Sequence, residues 1–209
     1  YWSIDFTIEE GKTEEHYADE LLALLEKSIS LQMRSDVPVG TYLSGGLDSS
    51  AVTTLASKHL NKPLSTFTGA FKESKDFDET EYAKIAAQAV KAKQHIIYPN
   101  YDDFITNFEN IVYMMDEPAA GPGIFPQFMV SKIASEHVKV VLGGQGGDEI
   151  FGGYARYAVA YLEQCLKGAI FETKEEGKHI VTLNSIINNL PVLKQYVPLL
   201  KQQFKSGLF

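Results

Sequence analysis

The sequence predicts an α/β domain: a parallel, twisted sheet with helices on both faces, extended at the C-terminus by further helices. Three observations predict it. Short apolar runs alternate with segments of helical period through residue 168. Two glycine-rich stretches, "SGGLDSS" at 44–50 and "GGQGGDEIFGGY" at 143–154, each follow an apolar run and lead into a helix-like one. The composition, 44% hydrophobic and 22% charged, is that of an ordinary globular chain.

The elements follow in order. Residues 14–33 carry Leu21, Leu22, Leu24, Leu25 and Ile29 at helical spacing. "VPVGTYL" (37–43) is short, β-branched and bounded by Pro and a Gly pair, which predicts a buried strand. A helix over 50–60 follows, with Val52, Leu55, Ala56 and Leu60 on one face, then a strand over 64–71. Asp78 and Glu81, at capping-box spacing, open a helix over 78–92. "QHIIY" (94–98) is a strand stopped by Pro99, and 103–115 a helix stopped near Pro118. "AAGPGI" (119–124) is a turn-rich loop before a helix over 126–137. "VKVVLG" (138–143) is the cleanest buried strand of the chain, and a helix over 154–168 follows the second glycine stretch. A polar linker then leads to "VTLNSIINNL" and "VLKQYVPLLKQQF", two helix-like segments separated by Pro191. The expected organisation is a sheet-containing core over 1–168 and a helical segment over 169–209.

In parallel sheets ligands bind where strands end and loops lead into helices, and both glycine stretches fall there. The charge balance narrows the ligand. With 19 Lys+Arg against 27 Asp+Glu, the formal charge is −8, and there is no basic run. Such a chain is poorly suited to nucleic acid or to an anionic membrane. A phosphate would have to be held locally, by backbone N–H groups, a metal or a few placed cations. The single cysteine, Cys165, forms no internal disulfide and fits a reducing compartment. It lies in a helix-like segment and reads as a small buried residue. No apolar stretch reaches the length of a membrane span, and the opening "YWSIDFTIEE" is not a signal peptide, so a cytoplasmic location is expected. The chain does not begin with Met, which suggests a piece of something longer.

The first loop has the composition of an anion cradle. A helix N-terminus offers unpaired N–H groups and the positive end of the helix dipole. Gly45 and Gly46 let the backbone come close and adopt positive φ, and Ser44, Ser49 and Ser50 add hydroxyls. Asp48 is the odd member, because a carboxylate beside a phosphate is repulsive unless a cation lies between them, which suggests Mg²⁺. Capping and small-residue packing alone would explain a bare Gly-Gly; strand, S-G-G-x-D-S, helix is a more specific pattern. No Lys follows the glycines, so this is not the G-x-x-x-x-G-K-[ST] loop. In the second loop, Asp148 is a further carboxylate suited to Mg²⁺ shared with phosphates, while Glu149 reads equally as a cap of the next helix. The five histidines (16, 59, 95, 137, 179) show no paired ligand spacing; His95 and His137 read as packing residues.

"LSGGLDSS" resembles the pyrophosphate-binding loop of the ATP pyrophosphatase (PP-loop) superfamily, also called adenine nucleotide alpha hydrolase-like. "VLGGQGGDEIFGGY", the opening "YW" and the "FDET" at 77–80 resemble the synthetase domain of glutamine-hydrolysing asparagine synthetases. The resemblance covers most of residues 1–165. It implies ATP and Mg²⁺ as cofactors, adenylation of a substrate carboxylate such as aspartate, and ammonia derived from glutamine. It implies a glutaminase domain in the same full-length chain as partner, and it admits a homodimer. Residue by residue, it implies that Leu43, Ser44, Gly45, Gly46, Leu47, Asp48, Ser49 and Ser50 bind nucleotide and pyrophosphate. Leu43 and Gly69 would meet the adenosine part, Gly143 and Gly144 the ribose and α-phosphate, and Asp48 and Asp148 would hold Mg²⁺. Gln145 and Asp148 stand at its catalytic positions.

The chain departs from the pattern in three ways. Gln145 stands where asparagine synthetases usually have Glu; an amide cannot act as a general base but can donate hydrogen bonds to a developing oxyanion. "AAGPGIFPQF" carries no Arg where the family has one. The glutaminase half and the family's catalytic Lys have no counterpart here, and Lys194, Lys201 and Lys205 lack its context. Two further readings stay open beside the amide ligase: a related PP-loop amidotransferase, cyclase or tRNA-modifying enzyme, and a nucleotide-binding module without chemistry.

Overall fold

A computed structural model of the chain describes residue 3 and residues 11–71, 79–117, 121 and 123–171, with side chains through residue 163. The chain divides into two compact units, residues 14–145 and residues 1–13 with 146–209.

The 14–145 unit is the sheet. Four strands, β1 (Val39–Tyr42), β2 (Ser65–Gly69), β3 (Lys93–Ile97) and β4 (Val140–Leu142), lie in the order β3-β2-β1-β4. All the pairings are parallel, with Gly40 opposite Ser65, Val39 opposite Val140 and Phe67 opposite His95. Parallel neighbours need crossovers, and the helices supply them: α2 (Leu47–Ser57), α3 (Thr80–Ala89), and α4 (Tyr101–Met114) with α5 (Ile124–Ser135). Helix α1 (Glu14–Gln32) precedes β1 and packs on α2.

Alternate strand residues face opposite layers, as the two-residue period of a strand requires. On one side Ile29, Leu55, Ala56, Leu64 and Leu142 form a buried cluster, with Leu43, Ala83 and Ala87 beside α3. On the other side Phe67 packs with Val130, Ala134 and Val138. The α/β class, the parallel sheet and the helices on both faces are as the alternation predicts. Polar side chains inside the first layer are mostly paired: the Thr41 and Thr53 hydroxyls share a buried hydrogen bond of 3.0 Å.

Four details differ from the sequence reading. Helix α2 starts at Leu47 rather than near residue 50, so Asp48, Ser49 and Ser50 lie inside its first turn. Helix α3 starts at Thr80 with Glu79 at its N-cap and no side-chain cap bond; Asp78 lies outside the described residues. The full capping box belongs to α4, where the Asp103 N–H donates to Asn100 Oδ1 and the Asn100 N–H to Asp103 Oδ2, both at 3.0 Å. Strand β4 is not the best-buried strand: it is three residues long, lies at the sheet edge, and leaves Val140 38% exposed. An edge strand has a neighbour on one side only, so an apolar run does not by itself place a strand at the centre.

The second unit holds two described helices, α6 (Gly147–Phe151) and α7 (Ala155–Phe171). Helix α7 runs past the expected end at residue 168; the expected helices over 181–190 and 192–204 and the core and tail division lie largely outside the described residues. Among the described residues no helix is long and apolar enough to cross a membrane.

Candidate functional site

The first glycine loop turns from β1 directly into α2. Gly46 is the N-cap, in extended conformation, and no side chain caps the helix. The N–H groups of Leu47, Asp48 and Ser49, in the first turn, therefore have no intrahelical acceptor. Serines fix the turn from within. Ser49 Oγ donates to the Gly46 carbonyl at 3.1 Å, accepts from the Ser44 N–H at 3.2 Å and shares a 3.0 Å bond with Ser44 Oγ. The Gly46 N–H donates to Ser44 Oγ at 3.2 Å. Ser49 is thereby buried structure, while Ser44 keeps an exposed edge. Gly45 has φ of +100°, and a Cβ there would stand 2.6 Å from the Glu79 carbonyl and 2.9 Å from the Ala83 nitrogen. Only glycine meets both demands, and the loop is thereby seated against the first turn of α3.

Asp48 does not do the work of a cap. It is half-buried in the first turn of α2, and its carboxylate makes no hydrogen bond among the described residues. The second glycine stretch reaches it: a Cβ on Gly144 would stand 2.7 Å from the Ser49 nitrogen and 2.9 Å from Asp48 Cβ. Gly144 is thus brought to the first loop across about a hundred residues of chain, while a Cβ on Gly143 would meet Tyr42 Cδ2 of β1 at 3.6 Å. Leu47 is 86% exposed and lends only its backbone.

A cavity of about 190 Å³ opens beside the loop, lined by Leu43, Ser44, Gly69, Gln127 and Val130 among others. Gly69 leaves this wall open, since a Cβ would stand 2.8 Å from Val130 Cγ2. The Leu43 backbone is partly engaged: its N–H donates to the Phe67 carbonyl at 2.9 Å, and its carbonyl accepts from Thr68 Oγ1 at 2.7 Å. Tyr42, another wall residue, is anchored by a 2.8 Å hydrogen bond between its hydroxyl and Ser131 Oγ. Tyr42 and Gln127 went unremarked in the sequence, where a tyrosine in a strand and a glutamine in a helix carry no signal.

Gln145 is exposed, and its side chain makes no hydrogen bond among the described residues. In the second unit, Asp148 lies in α6 between two left-handed glycines, Gly146 at φ +96° and Gly152 at φ +70°. Its side chain folds against Gly153, where a Cβ would collide with the carboxylate. Glu149 accepts a 2.7 Å hydrogen bond from the Tyr154 hydroxyl. That bond holds the Glu149 carboxyl below its ordinary value and pushes the Tyr154 phenol above its own. His95 and His137 meet at a tilt with ring centroids 3.9 Å apart, and Phe67 stacks with each of them, a packing role; burial, with His137 next, pushes His95 down.

Among the described residues no group of three His, Cys, Asp or Glu could cage a metal. Mg²⁺ delivered with a nucleotide needs no such cage, being usually held by one or two carboxylates plus substrate phosphates. Asp48, unpaired beside a row of backbone donors, fits that use.

Against known proteins, the asparagine synthase family model matches residues 20–201, most of the chain. This chain belongs to the asparagine synthase family. A putative glutamine-hydrolysing asparagine synthetase of Mycobacterium tuberculosis H37Rv is 45% identical over 139 residues, 66% of this chain and 21% of its own length. Asparagine synthetase 1 of Bacillus subtilis is 38% identical over 146 residues, 69% of this chain and 22% of its own. A putative asparagine synthetase 2 of Methanocaldococcus jannaschii is 41% identical over 155 residues, 74% and 28%. The chain thus spans only a fifth to just over a quarter of these curated relatives. Among solved structures, an NH3-dependent NAD synthetase from Campylobacter jejuni aligns with a TM-score of 0.44 and 17% identity, over 66% of this chain and 60% of its own.

Proposed function

We propose that this chain is the nucleotide-binding part of an ATP-dependent amide-forming ligase. The observation that carries it is the seating of Gly144 on Asp48 and Ser49, which brings the start of the second glycine stretch to the N-terminus of α2 beside an open cavity. The adenosine part of ATP occupies that cavity, between Leu43 and Gly69. The free N–H groups of Leu47, Asp48 and Ser49, with the Ser44 and Ser50 hydroxyls, hold the β- and γ-phosphates. Mg²⁺, when bound, neutralises charge on these phosphates, and Asp48 is the carboxylate of this loop that would hold it.

The reaction follows from which phosphates are held. A substrate carboxylate oxygen attacks the α-phosphorus, the bond to the bridging oxygen breaks, and pyrophosphate leaves into the loop that already donates to it. Fixed donors at the leaving group are worth about 3–4 kcal/mol each in comparable sites. Ammonia then attacks the acyl carbon of the adenylate, AMP leaves with the bonding pair, and the extra proton passes to solvent. Gln145 contributes hydrogen bonds to the developing oxyanion, not proton abstraction. Aspartate is the acceptor that the relatives' names favour, and glutamine, hydrolysed in a separate domain, the nitrogen source.

The test is exchange of labelled pyrophosphate into ATP by the full-length protein in the presence of L-aspartate. Exchange dependent on the carboxylate is expected; none with aspartate or any related carboxylate would exclude the reaction. Gln145 also favours a second reading, nucleotide binding without turnover. It predicts tight ATP binding and no AMP, so AMP release detected by chromatography eliminates it.

A further inference from the structure

Strand β1 ends at Tyr42, and the first glycine loop begins at Ser44. The peptide unit between Leu43 and Ser44 is therefore the joint between sheet and loop. It is held at both ends by side-chain hydroxyls. Its carbonyl, on Leu43, accepts from Thr68 Oγ1 of β2 at 2.7 Å. Its N–H, on Ser44, donates to Ser49 Oγ of α2 at 3.2 Å. One bond reaches the joint from the sheet, the other from the helix that the loop opens. A peptide unit is planar, so bonds at its two ends fix its tilt and the direction in which the chain leaves toward Gly45.

The sheet side of this joint extends one strand further. Gln94 Nε2 of β3 donates to Thr68 Oγ1 at 3.1 Å. A threonine hydroxyl has a single proton. Thr68 gives that proton to Leu43 while its oxygen receives Gln94, so the relay runs in one direction from β3 through β2 to the end of β1. Hydrogen bonds in such a chain polarise one another, and more strongly away from water. Thr68 is 1% exposed and Leu43 0%, so a lost hydroxyl leaves a buried carbonyl that water does not reach. Valine has nearly the shape of threonine and suits a strand equally well, so neither packing nor propensity calls for a hydroxyl at this position. Thr68 and Gln94 stand behind the loop, outside the lining of the cavity beside it.

We propose that Thr68 and Gln94 are positioning residues for the N-terminus of α2: through the Leu43–Ser44 peptide they set where the loop presents its free N–H groups to a phosphate. The inference rests on the nucleotide reading above for its ligand and adds to it two residues that touch no ligand. Gln94 acts through Thr68, by keeping the Thr68 proton on Leu43.

The test uses the full-length protein in two arms. The first is NMR without nucleotide, on protein carrying carbonyl-13C leucine and 15N serine. The chain has two Leu-Ser steps, Leu43–Ser44 and Leu64–Ser65, and the second is an internal control in β2. Thr68→Val should move the Leu43 carbonyl signal and speed exchange of the Ser44 amide about tenfold, the scale of one buried hydrogen bond, with Ser65 unchanged. Thr68→Ser keeps the hydroxyl and should restore both. The second arm is calorimetry with Mg²⁺ and a non-hydrolysable ATP analogue. Thr68→Val should bind it about 5- to 50-fold more weakly, and Thr68→Ser within about twofold of the unsubstituted protein. Ile111→Val, a change at a buried position of α4, should lower Tm and leave Ser44 exchange and the Kd alone. Unchanged Ser44 exchange in Thr68→Val overturns the proposal, as does faster exchange with unchanged affinity. A Thr68→Ser that behaves like Thr68→Val, or an equal loss of affinity in Ile111→Val, also overturns it, by making the effect one of packing. A Ser44 amide loosened by Thr68→Val in a protein that binds no analogue even unsubstituted retains the relay and removes the nucleotide reading. Should Thr68→Val not fold, Gln94→Leu keeps the test: Ser44 exchange and the Kd should each change severalfold, and no change overturns the proposal.

Discussion

The two glycine stretches look alike in sequence and are built differently. The first turns into an eleven-residue helix, is fixed by serine hydroxyls, and is backed by α3 at Gly45. The second leads into a helix of five residues bounded on both sides by left-handed glycines, Gly146 and Gly152, at both of which a Cβ would meet nothing within 4 Å. Glycine in the first loop answers to neighbours; glycine in the second answers mainly to the turn itself. The first is a shaped receptacle and the second a pair of corners that present side chains such as those of Asp148 and Tyr154.

That contrast can be broken most sharply at Asp48. Asp48→Asn should lower turnover on the order of 10²–10³-fold and abolish the Mg²⁺ dependence of ATP binding in calorimetry, because a charged ligand facing polyphosphate is lost. Its thermal midpoint should barely move, since the carboxylate caps nothing and Asn caps as well as Asp in any case. Unchanged Mg²⁺ dependence would leave the loop an anion cradle and withdraw the metal assignment.

Next in size are the glycines. Gly45→Ala combines left-handed strain with a backbone clash and should cost about 2–5 kcal/mol in urea denaturation. Gly144→Ala should cost about 1–3 kcal/mol and weaken ATP binding as well, because the methyl group presses on the backbone of Asp48 and Ser49. Gly146→Ala, with φ of +96° and nothing within 4 Å, should cost only about 1–2 kcal/mol of strain. Equal costs at 45 and 146 would erase the distinction between the loops.

The smallest effect is a titration. The Tyr154 phenol, raised by its bond to Glu149, should ionise above the ordinary 10.0 when followed by phenolate absorbance. The sign runs both ways. The raised phenol contributes stability that is full below 10.0 and lost as pH climbs through the raised value. The lowered Glu149 carboxyl contributes stability that is full above 4.5 and lost as pH falls through the lowered value. Glu149→Gln should bring one tyrosine back toward the ordinary range; an unmoved curve would remove the bond.

The alternation of strands and helices was legible because the strands are apolar and the helices amphipathic, local properties both. The first loop was legible because its chemistry lies in consecutive residues. Contacts between distant residues were not: Tyr42 and Ser131, 89 positions apart, share a bond that no spacing announces. The edge position of β4 was hidden for the same reason, since an apolar run does not tell how many neighbours it has. The start of α2 inside the motif was missed because Gly46 caps it without a side chain, leaving no capping signature to read. Asp148 was legible as a carboxylate in a glycine-rich stretch, whereas the stacking of Arg156 over Tyr154 depends on a turn set by Gly152 and could not be read from composition.

The seating of Gly45 on α3 limits how this protein could be redesigned. The atoms that would crowd a Cβ there belong mainly to backbone, the Glu79 carbonyl and the Ala83 nitrogen, and no rotamer change moves them. The width of the first glycine loop is therefore set by where α3 begins. Engineering a wider loop would have to start by shifting the first turn of that helix, because substitutions at Gly45 have no slack to use.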